Sequence, residues 1–241
     1  MGKYIRTVEI MEGDYHRTLP PRLVMEYTLS RIMLDIRAGG ADRDRLFTQC
    51  GAVWMISHMR FYQSAPIFPE DELEFHISPR IIDGAHYIYK ANVYRRGELI
   101  IRFDTSFIPV DKAERHVIRL AQVEPLWSAP PGREETVDPI HRLRDVCKFT
   151  DCDYRDTVRM SDCDCNHHLT SSAYLSLACN ALDFWGGSET RWMKMMQIDY
   201  VSEVRPGTEL HFARGEADGA KFVRGYKPDG TVAFTAKCIF D

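Results

Sequence analysis

With 241 residues, 44% apolar and 27% charged, and a formal net charge of −4, the chain can bury a core and has no overall pull toward nucleic acid. No apolar run approaches the roughly 18 residues that span a bilayer, and Met1-Gly2-Lys3-Tyr4-Ile5-Arg6 lacks the apolar segment of an export signal. The expectation is a cytoplasmic protein with no membrane and no nucleic-acid partner, and its seven irregularly spaced cysteines fit reduced thiols rather than a disulfide framework.

Residues 1–18 carry no clear period and read as a strand or an arm. Pro20-Pro21 opens a helix, with Met25, Leu29, Ile32, Met33 and Ile36 on one stripe and Gly39-Gly40 ending it. A polar connection is expected from Ala41 to about Cys50. From Ala52 the pattern turns to strand, closed by Pro66 and Pro69. A hairpin at Asp83-Gly84 leads to Tyr87, Tyr89, Ala91 and Val93 on alternate positions, and Leu99, Ile101, Phe103, Thr105 and Phe107 repeat the alternation. The aromatic residues Tyr87, Tyr89, Phe103 and Phe107 could wall an apolar tunnel or be plain sheet core.

Between 121 and 141 the composition shifts, with Pro125, Pro130, Pro131, Gly132 and Pro139 among charges, and this reads as a linker between an N-terminal unit (1–120) and a C-terminal unit (142–241). A strand follows from about Asp153 to Met160. Tyr174, Leu177, Ala178, Ala181, Leu182 and Trp185 then form one stripe, predicting a helix over 171–185 capped by Thr170 or Ser171 and stopped by Gly186-Gly187. A last meander ends in Val232, Phe234, Ala236, Cys238 and Phe240.

The two units resemble each other. Met59–Phe75 lies on Met196–Phe212 without a gap, 137 residues apart (59 to 196), matching Pro69 with Pro206, Leu73 with Leu210 and Phe75 with Phe212. That implies a duplicated helix-plus-antiparallel-sheet unit. Glu203 stands where the first copy has Pro66, so only the second copy carries the acid.

Ahead of the second helix, Ser161-Asp162-Cys163-Asp164-Cys165-Asn166-His167-His168 packs acids, an amide and imidazoles where a helix N-terminus offers free N–H donors. In such a run Asp164, Asn166 and His168 can point to one side and Cys163, Cys165 and His167 to the other. Taken singly these residues have ordinary readings: an Asx turn for Asp164 and Asn166, a satisfied imidazole for His168 and a solvated strand end for Glu203. The spacing of Cys147, Cys152, Cys163 and Cys165 does not reproduce the paired knuckle of structural zinc, so no metal is expected, and no cofactor either. Arg191-Trp192-Met193-Lys194 and Arg142, Arg144 and Lys148 are two basic clusters that could dock an acidic partner or be solvated faces.

Arg159 to His168, with Tyr174 six residues on, resembles the active-site motif of the acyl-acyl carrier protein thioesterases of bacteria and plant plastids. Asp199-Tyr200-Val201-Ser202-Glu203, Ala52-Val53-Trp54-Met55 and Phe107-Ile108-Pro109-Val110-Asp111 resemble further landmarks of that family. The resemblance implies an α+β tandem (double) hot-dog fold, two antiparallel sheets each wrapping a long helix. It also implies an N-terminal unit that binds the acyl chain and a C-terminal unit that hydrolyses fatty acyl thioesters of acyl carrier protein. The implied catalytic residues are Asp164, Asn166, His168 and Glu203; on chemical grounds Glu203 is the candidate general base and Asp164 the orienter, with direct attack by a carboxylate left open. The sequence departs from the family at Thr170 and Ser171, where paired Asn are usual, and at Val204, where several plant members have Cys. An acyl-CoA thioesterase with the same site and a non-catalytic acyl-binding module are the alternatives, and a homodimer is left open.

Overall fold

The structure, a computed structural model, describes residues 2–78, 81–128, 140–186 and 191–241. In chain order it contains β1 (Gly2–Thr7), α1 (Pro21–Ala38), α2 (Arg43–Cys50), β2 (Ala52–Gln63), β3 (Glu72–Ile77), β4 (Ile81–Asp83), β5 (His86–Arg95), β6 (Glu98–Asp111) and α3 (Leu120–Val123). The C-terminal half adds β7 (Thr150–Thr157), α4 (Ser171–Ala181), β8 (Met193–Tyr200), β9 (Glu209–Ala217), β10 (Ala220–Tyr226) and β11 (Val232–Phe240). The strands are ordered β1-β3-β5-β6-β2-β8-β11-β10-β9-β7, with β4 on β5. The two expected sheets are thus two half-sheets with the same internal order, joined edge to edge where β2 pairs antiparallel with β8. The hot-dog duplication read from the repeat is present strand by strand.

At the seam, Arg60 is paired with Gln197. These residues are 137 positions apart, the offset of the sequence repeat, so each is the other's counterpart and a local two-fold passes between them. Both are buried polar groups and each has a hydrogen-bond partner, although Arg60 Nε is left without one among the described residues. Arg60 Nη2 donates to Asp104 Oδ2 (3.0 Å), and Gln197 Nε2 donates to the His141 carbonyl (2.7 Å).

The helices α1 and α4 pack beside each other against the sheet. Met25, Ile32 and Ile36 of α1 and Leu175, Ala178 and Cys179 of α4 are sealed against Phe61, Phe75, Phe103, Phe212 and Phe234. Burial of that kind contributes about 1.5–3 kcal/mol for each large side chain. Met33, placed on the buried stripe of α1 by its spacing, is instead 40% exposed, because Val24 and Thr28 turn inward and rotate the buried face.

Three expectations need correction. The polar connection from Ala41 to Cys50 contains α2. Asp42 caps it by accepting from the N–H groups of Asp44 and Arg45, and Gly51 ends it at φ +64, but its apolar face is a single buried residue, Leu46. The strand expected from Asp153 to Met160 runs from Thr150 to Thr157, and Met160–Asp162 is a 3₁₀ turn. The helix expected to reach Trp185 ends at Ala181, where Leu182 caps it and Asp183, at φ +54, turns the chain back. Leu182 and Phe184 are buried by that reversal rather than by a helical stripe. Gly187, the second half of the expected stop, lies outside the described residues, as do Pro130, Pro131, Gly132 and Pro139. The described start of the 121–141 stretch holds the end of α3 and a 3₁₀ turn at Glu124–Leu126.

Tyr87 and Tyr89 are fully buried, and Phe103 and Phe107 nearly so, within the sheet's apolar cluster, which makes them core rather than tunnel wall. No helix among the described residues is long and apolar enough to cross a membrane. All seven cysteines are free.

Candidate active site

The loop before α4 is organised by one carboxylate. Asp164 Oδ1 accepts from the Asn166 N–H (2.8 Å) and, at 3.5 Å, from the His168 N–H, while Asp164 Oδ2 accepts from the Asn166 side-chain Nδ2 (3.1 Å). The Asp164 N–H donates to the His168 carbonyl (2.9 Å), and His167 adopts φ +61 to close the turn. The Asx turn of the ordinary reading is therefore present, and it is also what brings the acid, the amide and the imidazole to one side. Thr170 occupies the N-cap position without a side-chain cap bond, and the N–H groups of Ser171 and Ser172 have no acceptor among the described residues. A helix N-terminus left open beside a cavity is a ready donor site for a developing oxyanion.

Glu203 is held from both sides. Val201 and Ser202 each donate their N–H to the Ala233 carbonyl, Ser202 Oγ donates to the Val232 carbonyl (2.8 Å), and the Val204 carbonyl accepts from the Leu169 N–H (2.8 Å). This last bond ties the Glu203 segment to the loop carrying His168, and His168 Nε2 lies 3.3 Å from Glu203 Oε2. Arg115 Nη2, from the turn after β6, donates to the same Oε2. The Arg115 side chain is half exposed, so this ion pair is worth no more than ~1 kcal/mol.

Asp164, Asn166, His168 and Glu203 line one cavity of about 350 Å³ together with Trp54, Met55, Ile56, Ser57, Ile108, Arg142, Ser171, Tyr174 and Tyr200. The reactive groups come from the C-terminal half and much of the apolar wall from the N-terminal half. Tyr200 Oη donates to the Ser171 carbonyl (2.9 Å), fixing the start of α4 against β8. Burial holds the Tyr174 and Tyr200 hydroxyls protonated, with pKa values pushed well up. Burial, aided by Asp162 and Asp164, likewise raises the Cys163 thiol, opposing a thiolate there. A larger open groove along α1, about 950 Å³, shares only Ser171 with this cavity and contains none of the four groups.

The same loop exists in the N-terminal half without the chemistry. Asp14, His16, Thr18 and Leu19 stand 150 residues before Asp164, Asn166, His168 and Leu169 (14 to 164). Asp14 Oδ1 accepts from the N–H groups of His16 (2.9 Å) and Thr18 (3.0 Å), the Asp14 N–H donates to the Thr18 carbonyl (2.8 Å), and Arg17 takes φ +60. Leu19 donates to the Ile67 carbonyl (2.7 Å) as Leu169 does to that of Val204. At the reacting positions this copy has Thr18 for His168, Pro66 for Glu203, and Pro21, which has no N–H, for Ser171. His16, 1% exposed, stacks on Trp185 at 6.0 Å, so the post-α4 reversal fills the space. The carboxylate's loop-building role is thus separable from catalysis. Asp14→Ala is expected to destabilise the protein by about 2 kcal/mol, a Tm fall of several degrees, with kcat near wild type. Thermal melts beside initial rates check this, and a large kcat loss would show that the two loops are coupled.

Sequence reasoning missed two features of the cavity. Ser57 sits at a bulge of β2 against β6, and its Oγ lies 3.1 Å from His58 Nδ1, 3.3 Å from His86 Nδ1 and 3.0 Å from Ser106 Oγ. Burial first, then the charges of His86, Arg142 and Arg60, lower the His58 pKa to about 4, so it is neutral at pH 7. The one signal was a Ser-His pair following the apolar run Ala52–Ile56. Arg115 gave no signal, since its partner is 88 residues away. Of the two basic clusters, Arg142 lines the cavity, whereas Arg191 donates to the carbonyls of Asp183, Phe184 and Gly186 and Lys194 pairs with Asp241. Lys148 is exposed. Among the described residues no three His, Cys, Asp or Glu side chains converge as a metal site.

Residues 148–231 match the acyl-ACP thioesterase C-terminal domain family. No curated protein matches by sequence. In fold the chain is similar to an acyl-ACP thioesterase from Bacteroides thetaiotaomicron (TM-score 0.83, 16% identity, covering 100% of this chain and 97% of that one). It is also similar to the 12:0-ACP thioesterase from Umbellularia californica (TM-score 0.79, 13% identity, covering 100% and 96%). The structural likeness shows the double hot-dog fold, and the domain match ties residues 148–231, the half that holds Asp164, Asn166, His168 and Glu203, to the acyl-ACP thioesterase C-terminal domain.

Proposed function

We propose that the chain hydrolyses fatty acyl thioesters of acyl carrier protein, releasing free fatty acid, at the cavity shared by Asp164, Asn166, His168 and Glu203. The observation that carries this reading is the meeting of Glu203 with His168 at the open N-terminus of α4, inside a cavity whose other wall is apolar. In this reading Glu203 takes the proton of a water that attacks the thioester carbonyl carbon. The oxyanion is received by the Asn166 amide and the free N–H groups of Ser171 and Ser172, and the thiol of the carrier leaves with a proton. Asp164 orients Asn166 and His168 through the bonds of its loop. We assign acyl-chain binding to the N-terminal unit, 1–120, since it supplies Trp54, Met55, Ile56 and Ile108. Chemistry falls to the C-terminal unit, 142–241, with 121–141 as the linker. Free cysteines support a reducing, cytoplasmic setting.

The carrier is tested by salt. Docking an acidic carrier protein adds screened charge pairs over a wide surface, so kcat/KM on acyl carrier protein substrates should fall more steeply with ionic strength than on acyl-CoA. Initial rates on both carriers across a salt series measure this. Equal slopes with a preference for acyl-CoA would move the assignment to that carrier, and hydrolysis of neither would leave an acyl-binding module.

A further inference from the structure

Glu203 is the carboxylate that would accept a proton from water, and its Oε2 is contacted from one side by Arg115 and from the other by His168, while Oε1 has no partner among the described residues. The turn that presents Arg115 is firmly built. Asp111 Oδ1 accepts from the N–H groups of Ala113 and Glu114, the Arg115 N–H donates to the Asp111 carbonyl, and Arg115 itself adopts φ +61. The backbone is held by these bonds, whereas the side chain is half exposed. Beyond Glu203 it faces an open groove of about 640 Å³ that meets the reacting cavity along Met55, Ile108, Val201, Ser202 and Glu203.

Three cations from three separate turns line that groove: Arg115, Arg205 and Lys227. Glu203 is the one carboxylate among its described lining residues, and it is already paired. The side chains of Arg205 and Lys227 make no hydrogen bond or ion pair among the described residues, and the exposed Asp229 is the electrostatic neighbour of Lys227. A cationic groove opening onto a site where a carrier's thioester must lie suits the phosphate of the arm that bears the thiol. A guanidinium fork fits phosphate at least as well as carboxylate.

We propose that Arg115 is exchanged between two anions, holding Glu203 while the groove is empty and turning to the substrate's phosphate when it is filled. This releases Glu203 Oε2 when a phosphate-bearing thioester is in place. The inference rests on the reading of Glu203 as the base. It makes Arg115 a positioning residue acting through Glu203, and it gives the protein a way to respond to the carrier arm rather than to the acyl chain alone.

Competition for one guanidinium has a reciprocal signature that does not depend on turnover. Binding of 4′-phosphopantetheine, measured by calorimetry on wild type, Glu203→Gln, Arg115→Met and the double variant, forms a closed cycle. The expected result is that Glu203→Gln tightens binding by ~3-fold or more in the Arg115 background and that this gain disappears with Arg115→Met. Pantetheine, which lacks the phosphate, should bind alike to all four. An equal gain in both backgrounds would mean simple repulsion between Glu203 and the phosphate and would overturn the exchange. So would the absence of 4′-phosphopantetheine binding, or a pantetheine response that follows the phosphate's. Thioester hydrolysis by the wild type is measured beside it. Coupling without hydrolysis removes the enzymatic reading and keeps the exchange, whereas hydrolysis without coupling does the reverse.

Discussion

Glu203→Gln is expected to lower kcat by ~10²-fold or more while the fold survives. The amide keeps the shape of the carboxylate and its place between the anchored Ser202 and Val204, but it cannot take a proton from water. What is lost from stability is small. The ion pairs with Arg115 and His168 are partly exposed, and pairs of that kind are worth under ~1 kcal/mol. The two quantities therefore separate cleanly in one variant, kcat falling and Tm holding. Single-turnover rates beside thermal melts measure them. Near-full thioesterase activity in this variant would remove Glu203 from the base's role and leave the activation of water to another group of the cavity.

Asn166→Ala is expected to cost on the order of 10²-fold in kcat, the scale of removing one oxyanion donor. One N–H of its amide is committed to Asp164 Oδ2, which fixes the group and leaves the other N–H for substrate. The backbone bond from the Asn166 N–H to Asp164 Oδ1 does not need the side chain, so the turn should persist in the variant. The effect should fall on kcat and kcat/KM alike, as befits an interaction made in the transition state. A variant that instead loses stability at unchanged kcat would show Asn166 to be a turn residue only.

Most of what locates this site is local in the sequence, and what was not local could not be read. Asp164, Asn166 and His168 lie within five residues and share a side because a single carboxylate folds their loop, a pattern that short polar residues ahead of an apolar stripe announce by themselves. Glu203 was reached through the repeat and the resemblance, since nothing in its own neighbourhood distinguishes it from a solvated strand end. Arg115 is of the other kind: a charged residue in a charged turn acquires meaning only from a partner 88 residues on. The end of α4 was misplaced for a related reason. Leu182 keeps the helical spacing, but what buries it is the chain reversal at Asp183. The short helix α2 has a cap and a stop in its sequence but a single buried side chain, so its periodicity is silent. The offset of 137 residues contained the seam of the sheet as well as the duplication, although only the structure pairs Arg60 with Gln197.

That seam bears on how the two halves can vary. In a dimer of identical halves meeting along such an edge, every substitution occurs twice, and a change that suits one copy of a cavity is forced upon the other. Here the counterparts are separate positions in one chain. Pro21, Thr18 and Pro66 can stand in the first copy without disturbing Ser171, His168 and Glu203 in the second. The cavity draws Trp54 and Ile108 from the first half and its acid, amide and imidazole from the second. Under the proposed assignment the wall at Trp54 and Ile108 and the wall at His168 are thus independently mutable, so that the range of chains accepted would drift at the first while the second stays as it is.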